Sequence, residues 1–507
     1  MATVSSTSTV GSSLDLLVQQ YQSSLLARSV VPVQKKQTSL TARLSALSTL
    51  KSKLSTLSAS ALALSKTDST SQFRTYSVSN NNTTVLTASA SSTAISGSHS
   101  LLVTQLAKAD TIVSSRFNAA TTTIVSDELT VDEKTAGSAT RQIKVLVGGV
   151  EKGTVDVSLT WSPDADTNTA ILTNIASAIN ASTDISPYVS ATVVAVTSTQ
   201  SRLVITSRAS GSTNAVSLED GGTGTLLDKI GLSDAAISGR SAVSTNTTAD
   251  DPATAPGGYL YPVDVSLLNA KFTLDGLDIV RNSNTVSDVL TGVTFNLKAA
   301  QGLTDTPVSL SIDLNKDQVR ANVQGFLTSY NAVVSYVNTQ TAVDKTTGTR
   351  QVLAGDSFVK GICSGLRSIS MNVVNGLASG SNMLADIGIK AGSDGTLSIS
   401  DSSKFDLMLA SDPTKVSDLF NATEGVAVQL RSYVEGIVSS GGQMVGVADS
   451  ISTQITSLSK KITTLSTSVN RQVIKYRDDL ARLQSVYDQA NQQMQMMNTL
   501  YSALGWV

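Results

Sequence analysis

The sequence has 507 residues, a net charge of −2, 15% charged residues, 4% aromatic residues and one cysteine, Cys363. A chain of this length forms several domains and can bury more than one core. The balanced charge, spread without a basic cluster, argues against a nucleic-acid or anionic-membrane partner. One cysteine excludes an intrachain disulfide. No apolar run approaches the roughly 18 residues of a membrane span, so no membrane partner is expected.

The N-terminal region predicts two helices after a Ser/Thr-rich segment, Ala2–Val10, that is expected to be disordered. This segment has no basic and apolar pattern of the kind that marks a cleavable signal peptide, so export by such a peptide is not expected. Gly11-Ser12-Ser13 is expected to cap the first helix, and Pro32 to separate it from the second. The second helix has a heptad seam formed by Leu40, Leu47, Leu50, Leu54, Leu57 and Leu64.

From about Thr70 to Ile312 the apolar residues alternate, which predicts a β-rich region. Two hairpins are expected, one with a turn from Gly148-Gly149 to Lys152-Gly153 and one with a turn at Asp275-Gly276. One helix is predicted over residues 170–180. Linkers are predicted over residues 127–137 and 241–258. Helices return at Asn315, followed by a turn and short strand at 394–399, a helix at 413–420, and glycines at 441, 442 and 446 that separate the last helix.

The last helix is predicted to span about 85 Å, because residues 447–504 contain neither Gly nor Pro. Its apolar residues recur at steps of four and three, with one shift of phase between Val469 and Val473. A stripe of this length requires a partner helix, either in the same chain or in another copy. The predicted seam comprises Ile455, Leu458, Ile462, Leu465, Val473, Tyr476, Leu480, Leu483, Tyr487, Met494 and Met497. The alternative is that both terminal stripes belong to ordinary core helices.

The sequence therefore predicts an α+β fold, with a helical coiled-coil leg built from both termini and β-rich head domains inserted between them. The expected segments are 1–66 (disordered start and leg helices), 67–126 and 246–314 (two parts of an inner head domain), 127–245 (an outer head domain), 315–440 (a helical and mixed leg domain) and 441–507 (the C-terminal coiled-coil helix).

No catalytic, cofactor or metal constellation is present in the sequence. His99 is the only histidine, which excludes His-rich zinc sites, and it is not part of a nucleophile-elbow motif. A Ser/His/Asp triad or an activated Cys363 would each have to use His99. The segment that begins at Asp164 resembles a calcium loop, but Thr169 and Ile175 occupy the positions of its glycine and closing glutamate. A non-enzymatic protein without a cofactor is expected.

Several colinear segments resemble the bacterial flagellar filament-capping family, also called flagellar hook-associated protein 2. The resemblance is carried by 11–15, by 99–107 ending in Gln-Leu-Ala, by an Ile-Asn motif at Ile179-Asn180 with Val189-Ser190-Ala191, by 270–276, 281–286 and 292–295, by 330–333, and by 394–397 with 415–420. The motifs span nearly the whole chain in the family's order. Within residues 121–264 little beyond the Ile-Asn motif matches.

The resemblance implies a ring-shaped homo-oligomer at the distal end of the extracellular flagellum, which promotes flagellin folding and insertion. It implies export through the flagellar apparatus without a cleavable signal peptide. Flagellin, a flagellar export chaperone and the hook–filament junction proteins are then expected partners. The alternatives are a surface adhesin that binds host or mucin components through the head, and a different filament or junction subunit. The second is disfavoured because neither terminus resembles those of flagellin.

Overall fold

The computed structural model describes residues 7–233, 239–262 and 264–503, and for residues 7–13 it describes the backbone alone. The helices are α1 (Thr7–Leu25), α2 (Val31–Ser65), α3 (Thr123–Glu128), α4 (Val131–Ala136), α5 (Asn168–Ala181), α6 (Leu226–Lys229), α7 (Lys316–Thr341), α8 (Ser357–Met371), α9 (Ser402–Ser411), α10 (Pro413–Asn421), α11 (Val426–Val438) and α12 (Gln443–Ala503). A π-helical turn, Leu26–Val30, joins α1 to α2.

The strands are β1 (Tyr76–Asn80), β2 (Leu86–Ala90), β3 (Gly97–Gln105), β4 (Ala109–Val113), β5 (Phe117–Asn118), β6 (Ser138–Val147), β7 (Val150–Thr160), β8 (Val189–Ala195), β9 (Gln200–Ser210), β10 (Val216–Asp220), β11 (Gly258–Tyr259), β12 (Ala270–Leu274), β13 (Leu277–Arg281), β14 (Thr285–Leu290), β15 (Val293–Leu297), β16 (Val308–Leu314), β17 (Ile389–Ala391) and β18 (Leu397–Ile399).

The chain forms two compact units. The first unit combines the described residues up to Phe73 with those from Lys316 onward, and the second comprises residues 74–315. Long helices from both terminal regions thus belong to one unit, and a β-rich unit is inserted between them in the sequence. This confirms the predicted α+β class. The finer division into six segments stays a prediction.

The first unit is built on α2, which packs against α7, α11 and α12. Pro32 lies in the first turn of α2, where a missing backbone donor costs nothing. The helix is therefore not broken at Pro32 as expected, and the irregularity is the π-helical turn before it. Aspartates begin the shorter helices: Asp356 accepts hydrogen bonds from the amides of Phe358 and Val359 at the start of α8.

Three further expectations about the helices were wrong. Residues 7–10, expected to be disordered, are helical, while residues 2–6 of that segment lie outside the described residues. Gly446 does not separate the last helix but lies inside it, since α12 begins at Gln443. The predicted linker at 127–137 contains the whole of α4, which has a capping box in which Thr130 and Glu133 satisfy each other's backbone amides. Leu504 lies outside the described residues.

The second unit contains two hydrophobic cores, one of which is formed by two antiparallel sheets. The strand orders of these sheets are β1-β16-β3-β12-β13 and β14-β15-β2. Apolar residues of both sheets, among them Leu101, Phe272 and Phe295, are buried together. The predicted turn at Asp275-Gly276 joins β12 to β13, and both of its residues have a positive φ, as a two-residue hairpin requires.

The other core of the second unit lies among sheets β10-β6-β7 and β11-β4-β9-β5, strand β8 paired to β9, and helices α3 and α5. Its buried residues include Ile112 on β4 and Tyr259 on β11. The expected hairpin is confirmed, since β6 pairs with β7, but its turn is only Gly148-Gly149 because β7 begins at Val150. The predicted helix at 170–180 is α5.

Three asparagines lie in the motifs that carry the resemblance. The side-chain amide of each one bonds both the N–H and the C=O of one residue elsewhere in the chain. The side-chain amide of Asn180 donates to the carbonyl of Ala191 at 2.7 Å and accepts from its amide at 3.0 Å. Asn284 makes the same pair of bonds with Ala107, and Asn331 makes it with Leu397. An amide side chain offers one donor and one acceptor in the spacing of a peptide group. These motifs therefore maintain contacts between distant segments within each unit.

Candidate assembly interface

The leucine seam of α2 is the core of the first unit. Leu47, Leu50, Leu54, Leu57 and Leu64 are each at most 1% exposed, and Leu40 is half-buried. Helices α7 and α11 pack against α2, and the hydroxyl of Tyr336 on α7 donates to the carbonyl of Ala46. These leucines are buried by the chain itself. Their heptad spacing thus reflects packing within one subunit. These leucines are therefore not accessible to a partner subunit.

The first part of α12 is half-covered by the N-terminal helices. Helix α12 packs against α1, the π-helical turn and α2. Seven seam residues of α12 are half-buried here: Ile455, Leu458, Ile462, Leu465, Val473, Tyr476 and Leu480. The ring centroids of Tyr21 and Tyr476 lie 4.3 Å apart with planes tilted by 35°, so the two rings are in close contact. The exposed pair of Arg477 and Asp15, at 3.6 Å, contributes little because water screens it.

The remaining seam residues of α12 are exposed. Leu483 is 66% exposed, Tyr487 62%, and Met494 and Met497 each 56%. The helix continues unbroken through the phase shift between Val469 and Val473, so the stripe stays on one rigid element. What changes along α12 is the degree to which the chain covers it.

Sequence periodicity missed other exposed apolar residues on the same part of α12. Val486, Met496 and Leu500 are each 60–64% exposed and lie off the predicted stripe. We call residues 483–501 of α12, with these exposed apolar side chains, the C-terminal apolar segment. Contiguous exposed apolar surface on a folded protein marks an interaction site. The signal that could have found these residues is the apolar content of the final turns on every face, rather than the a/d spacing.

His99 and Cys363, the two residues considered above for catalysis, both lie in structural surroundings. The Nδ1 atom of His99 lies 2.8 Å from Oδ2 of Asp275, whose other oxygen accepts from the amide of Ser100. The hydrogen bond from His99 lowers the pKa of Asp275, and this carboxylate ties the β12–β13 turn to β3. Burial raises the pKa of Cys363 to about 11, so the thiol stays protonated at neutral pH and is a poor nucleophile.

Two further properties concern the described part of the chain. No group of three or more His, Cys, Asp or Glu side chains within it is arranged to hold a metal ion. None of its helices combines the length and apolarity needed to cross a bilayer. The C-terminal apolar segment remains as a candidate surface for a partner, since its apolar side chains are exposed.

Comparisons with known proteins agree with the resemblance. Sequence models of the N- and C-terminal regions of flagellar hook-associated protein 2 match residues 11–110 and 268–492. The A-type flagellar hook-associated protein 2 of Pseudomonas aeruginosa is 26% identical over 98% of both chains. Flagellar hook-associated protein 2 of Escherichia coli is 28% identical over 95% of both chains.

A solved structure shares the fold. The crystal structure of the D1-D2-D3 domains of the flagellar cap protein FliD from Escherichia coli superposes with a TM-score of 0.56 at 24% identity. It covers 80% of this chain and 99% of its own. The two matching sequence models together take in well over half of the residues and include both terminal helical regions. The chain therefore belongs to the flagellar hook-associated protein 2 family, a family of structural proteins of the bacterial flagellum.

Proposed function

We propose that this protein caps the distal end of the flagellar filament as a homo-oligomeric ring and promotes the folding and insertion of flagellin. Family membership supports the location on the flagellum. The solved FliD structure, described as a flagellar cap protein, supports the role at the tip. The observation that carries the proposal is the C-terminal apolar segment, which offers a helical surface to other subunits of the assembly.

The chemistry of this segment suits repeated binding and release. Three of its exposed residues are methionines, whose flexible side chains adapt to differing partners without a fixed complementary shape. The segment also carries polar residues, including Gln492 and Gln495, which keep it compatible with water when no partner is bound. A cap that advances as each subunit is added needs such a reversible contact. We propose flagellin and neighbouring copies of the chain as the occupants.

The proposal extends to export and to further partners. It places the protein outside the cell after export through the flagellar apparatus, without a cleavable signal peptide. An export chaperone and the hook–filament junction proteins are proposed as additional partners. Passage as an unfolded chain is compatible with the single cysteine, which leaves no intrachain disulfide to reduce.

The test is complementation of a deletion strain of the bacterium that encodes the protein. Loss of the gene is expected to release unpolymerised flagellin into the medium, and the wild-type gene to restore filaments. A variant with Met494→Gln, Met497→Gln and Leu500→Gln is expected to be exported and folded but to leave most flagellin in the medium. Flagellin in the culture supernatant and filament length by electron microscopy are the readouts.

A matched control changes polar residues on the same turns of α12. Gln492→Ala, Gln495→Ala and Thr499→Ala alter exposed side chains of the segment without removing apolar surface, and are expected to restore filaments. Normal filaments in the deletion strain would contradict the cap function. If that strain also lost attachment to host or mucin surfaces, the adhesin function would take its place.

A further inference from the structure

Two arginines face each other on the second unit. Phe117 of β5 pairs with Ser201 of β9, and the amide of Ser114 donates to the carbonyl of Leu203. Ser115 and Arg116 therefore lie together opposite Arg202, in a bulge between β4 and β5. Ser201 and Leu203 point into the core, and the alternation of a strand therefore directs Arg202 to the opposite face of the sheet. Side chains directly opposite each other on one face have Cβ atoms roughly 5 Å apart. Two guanidinium groups are thus neighbours.

Neither arginine has a carboxylate partner among the described residues. Arg116 donates to the side-chain oxygen of Gln200 at 3.4 Å, and Arg202 donates to the carbonyl of Ser244 at 3.1 Å. Both acceptors are neutral. Arg202 is nevertheless only 7% exposed, and its burial, followed by the charge of Arg116, lowers the pKa of its side chain.

The same unit pairs its other enclosed arginines with carboxylates. Arg141 contacts Glu128 and Glu133, and Arg240 makes two hydrogen bonds with Asp110. Buried charges in proteins are generally paired in this way, because an unpaired one loses its hydration without compensation. Like charges directly opposite on a sheet add repulsion. Arg116 and Arg202 therefore lack the carboxylate that neutralises the other enclosed arginines of this unit.

The two guanidinium groups also keep donors available for a ligand. In each residue Nε is enclosed without a partner and is closed to a ligand, as is Nε of Arg240. The terminal nitrogens that do not contact Gln200 or Ser244, Nη2 of Arg116 and Nη1 of Arg202, make no hydrogen bond and are not among the enclosed atoms. One terminal nitrogen of each arginine is thus unpaired and not fully enclosed, next to two positive charges.

We propose that Arg116 and Arg202 form a binding site for a doubly charged tetrahedral oxyanion, phosphate or sulfate, either as the free ion or as a monoester. Two fixed positive charges favour a dianion over a monoanion. Guanidinium groups bind such oxygens through directed, charge-assisted hydrogen bonds, and several acceptor oxygens allow one ligand to serve both arginines.

Occupation of the site has a structural consequence for the segment 244–250. The carbonyl of Ser244 accepts from Arg202, and the amide of Asp250 donates to the carbonyl of Arg116 at 2.9 Å. Each end of this segment is therefore hydrogen-bonded to one of the two arginines. Neutralising the repulsion between the arginines is expected to slow amide hydrogen exchange over residues 244–250, since local opening would then have to separate the segment from a bound ligand site.

The direct test is equilibrium dialysis of the full-length protein against radiolabelled sulfate, with sodium chloride holding the ionic strength constant. The wild type is expected to bind one sulfate per chain. Arg116→Gln and Arg202→Gln are each expected to weaken binding by at least about tenfold, which is the effect of losing one charge-assisted hydrogen bond. Arg202→Lys keeps the charge but not the planar fork and is expected to bind with intermediate affinity.

The matched control is Arg208→Gln, which removes the same charge from an exposed position on the same strand. It is expected to bind sulfate as the wild type does. Absence of saturable binding, or equal loss in the control, would overturn the proposal. Arg116 is the less buried of the two, so Arg116→Gln carries the test if Arg202→Gln fails to fold by circular dichroism.

Competition distinguishes the two sources of the anion. Inorganic phosphate and glucose 6-phosphate are each titrated against bound sulfate, with glucose as the blank. Tighter competition by the monoester would indicate a larger ligand that bears the group, and tighter competition by inorganic phosphate would indicate the free ion. Failure of both to displace the sulfate would contradict a site for tetrahedral dianions.

Discussion

Two leucines that share a heptad spacing are expected to have opposite roles. Leu57 on α2 is 0% exposed, whereas Leu483 on α12 is 66% exposed. Leu57→Ala removes three buried carbons and leaves a cavity, which is expected to cost about 3–4 kcal/mol of unfolding free energy. Leu483→Ala removes a side chain that is only one-third covered, so its cost is expected to stay below about 1 kcal/mol.

The measurement is urea unfolding followed by helical circular dichroism, because the long helices belong to the first unit. The chain has two units, so the helical signal is analysed as the transition of that unit rather than of the whole protein. Assembly is then measured by sedimentation and by the flagellin-release assay. Leu483→Ala is expected to retain stability and to reduce assembly.

Either of two results would contradict these opposite roles. One is a loss of stability in Leu483→Ala equal to that in Leu57→Ala, which would show that this part of α12 is covered within the chain. The other is a fully stable Leu57→Ala variant that fails to assemble, which would make α2 an intersubunit seam.

Three other predictions concern single groups. Gly365→Ala is expected to destabilise the first unit by about 1–3 kcal/mol, since a Cβ would overlap a tyrosine ring of α11. Gly361→Ala has open space around it and is expected to be neutral or stabilising in the same urea assay. Hydrogen bonding from Arg141 lowers the pKa of Glu133 to about 2, below its usual 4.5. The stability that the Glu133 carboxylate contributes is therefore complete above pH 4.5 and is lost as the pH falls towards 2. Thermal unfolding as a function of pH is expected to show this dependence in the wild type and not in Glu133→Gln. Cys363 is expected to react with iodoacetamide at pH 8 only when the protein is unfolded, as measured by mass spectrometry, because its pKa is raised to about 11.

The periodicity of apolar residues predicted most of the helices and strands, but it did not predict α4. The alternation of apolar residues predicted the β-rich region, and the hairpin turns at Gly148-Gly149 and Asp275-Gly276 followed from residues that tolerate a positive φ. The apolar periodicity predicts a linker over residues 127–137. The capping box of Thr130 and Glu133, which is a local signal, is what identifies α4 there.

The amino-acid sequence by itself determined that both ends of this chain are helical, that the middle is β-rich and that its motifs resemble one family. These properties depend on local periodicity and on short segments in a fixed order. Only the tertiary structure decided which apolar residues are free. Leu57 and Leu483 occupy equivalent positions in their stripes, yet one is enclosed by α7 and α11 and the other faces water. A heptad pattern specifies that a face will be buried, but the identity of the covering surface depends on residues far away in the chain.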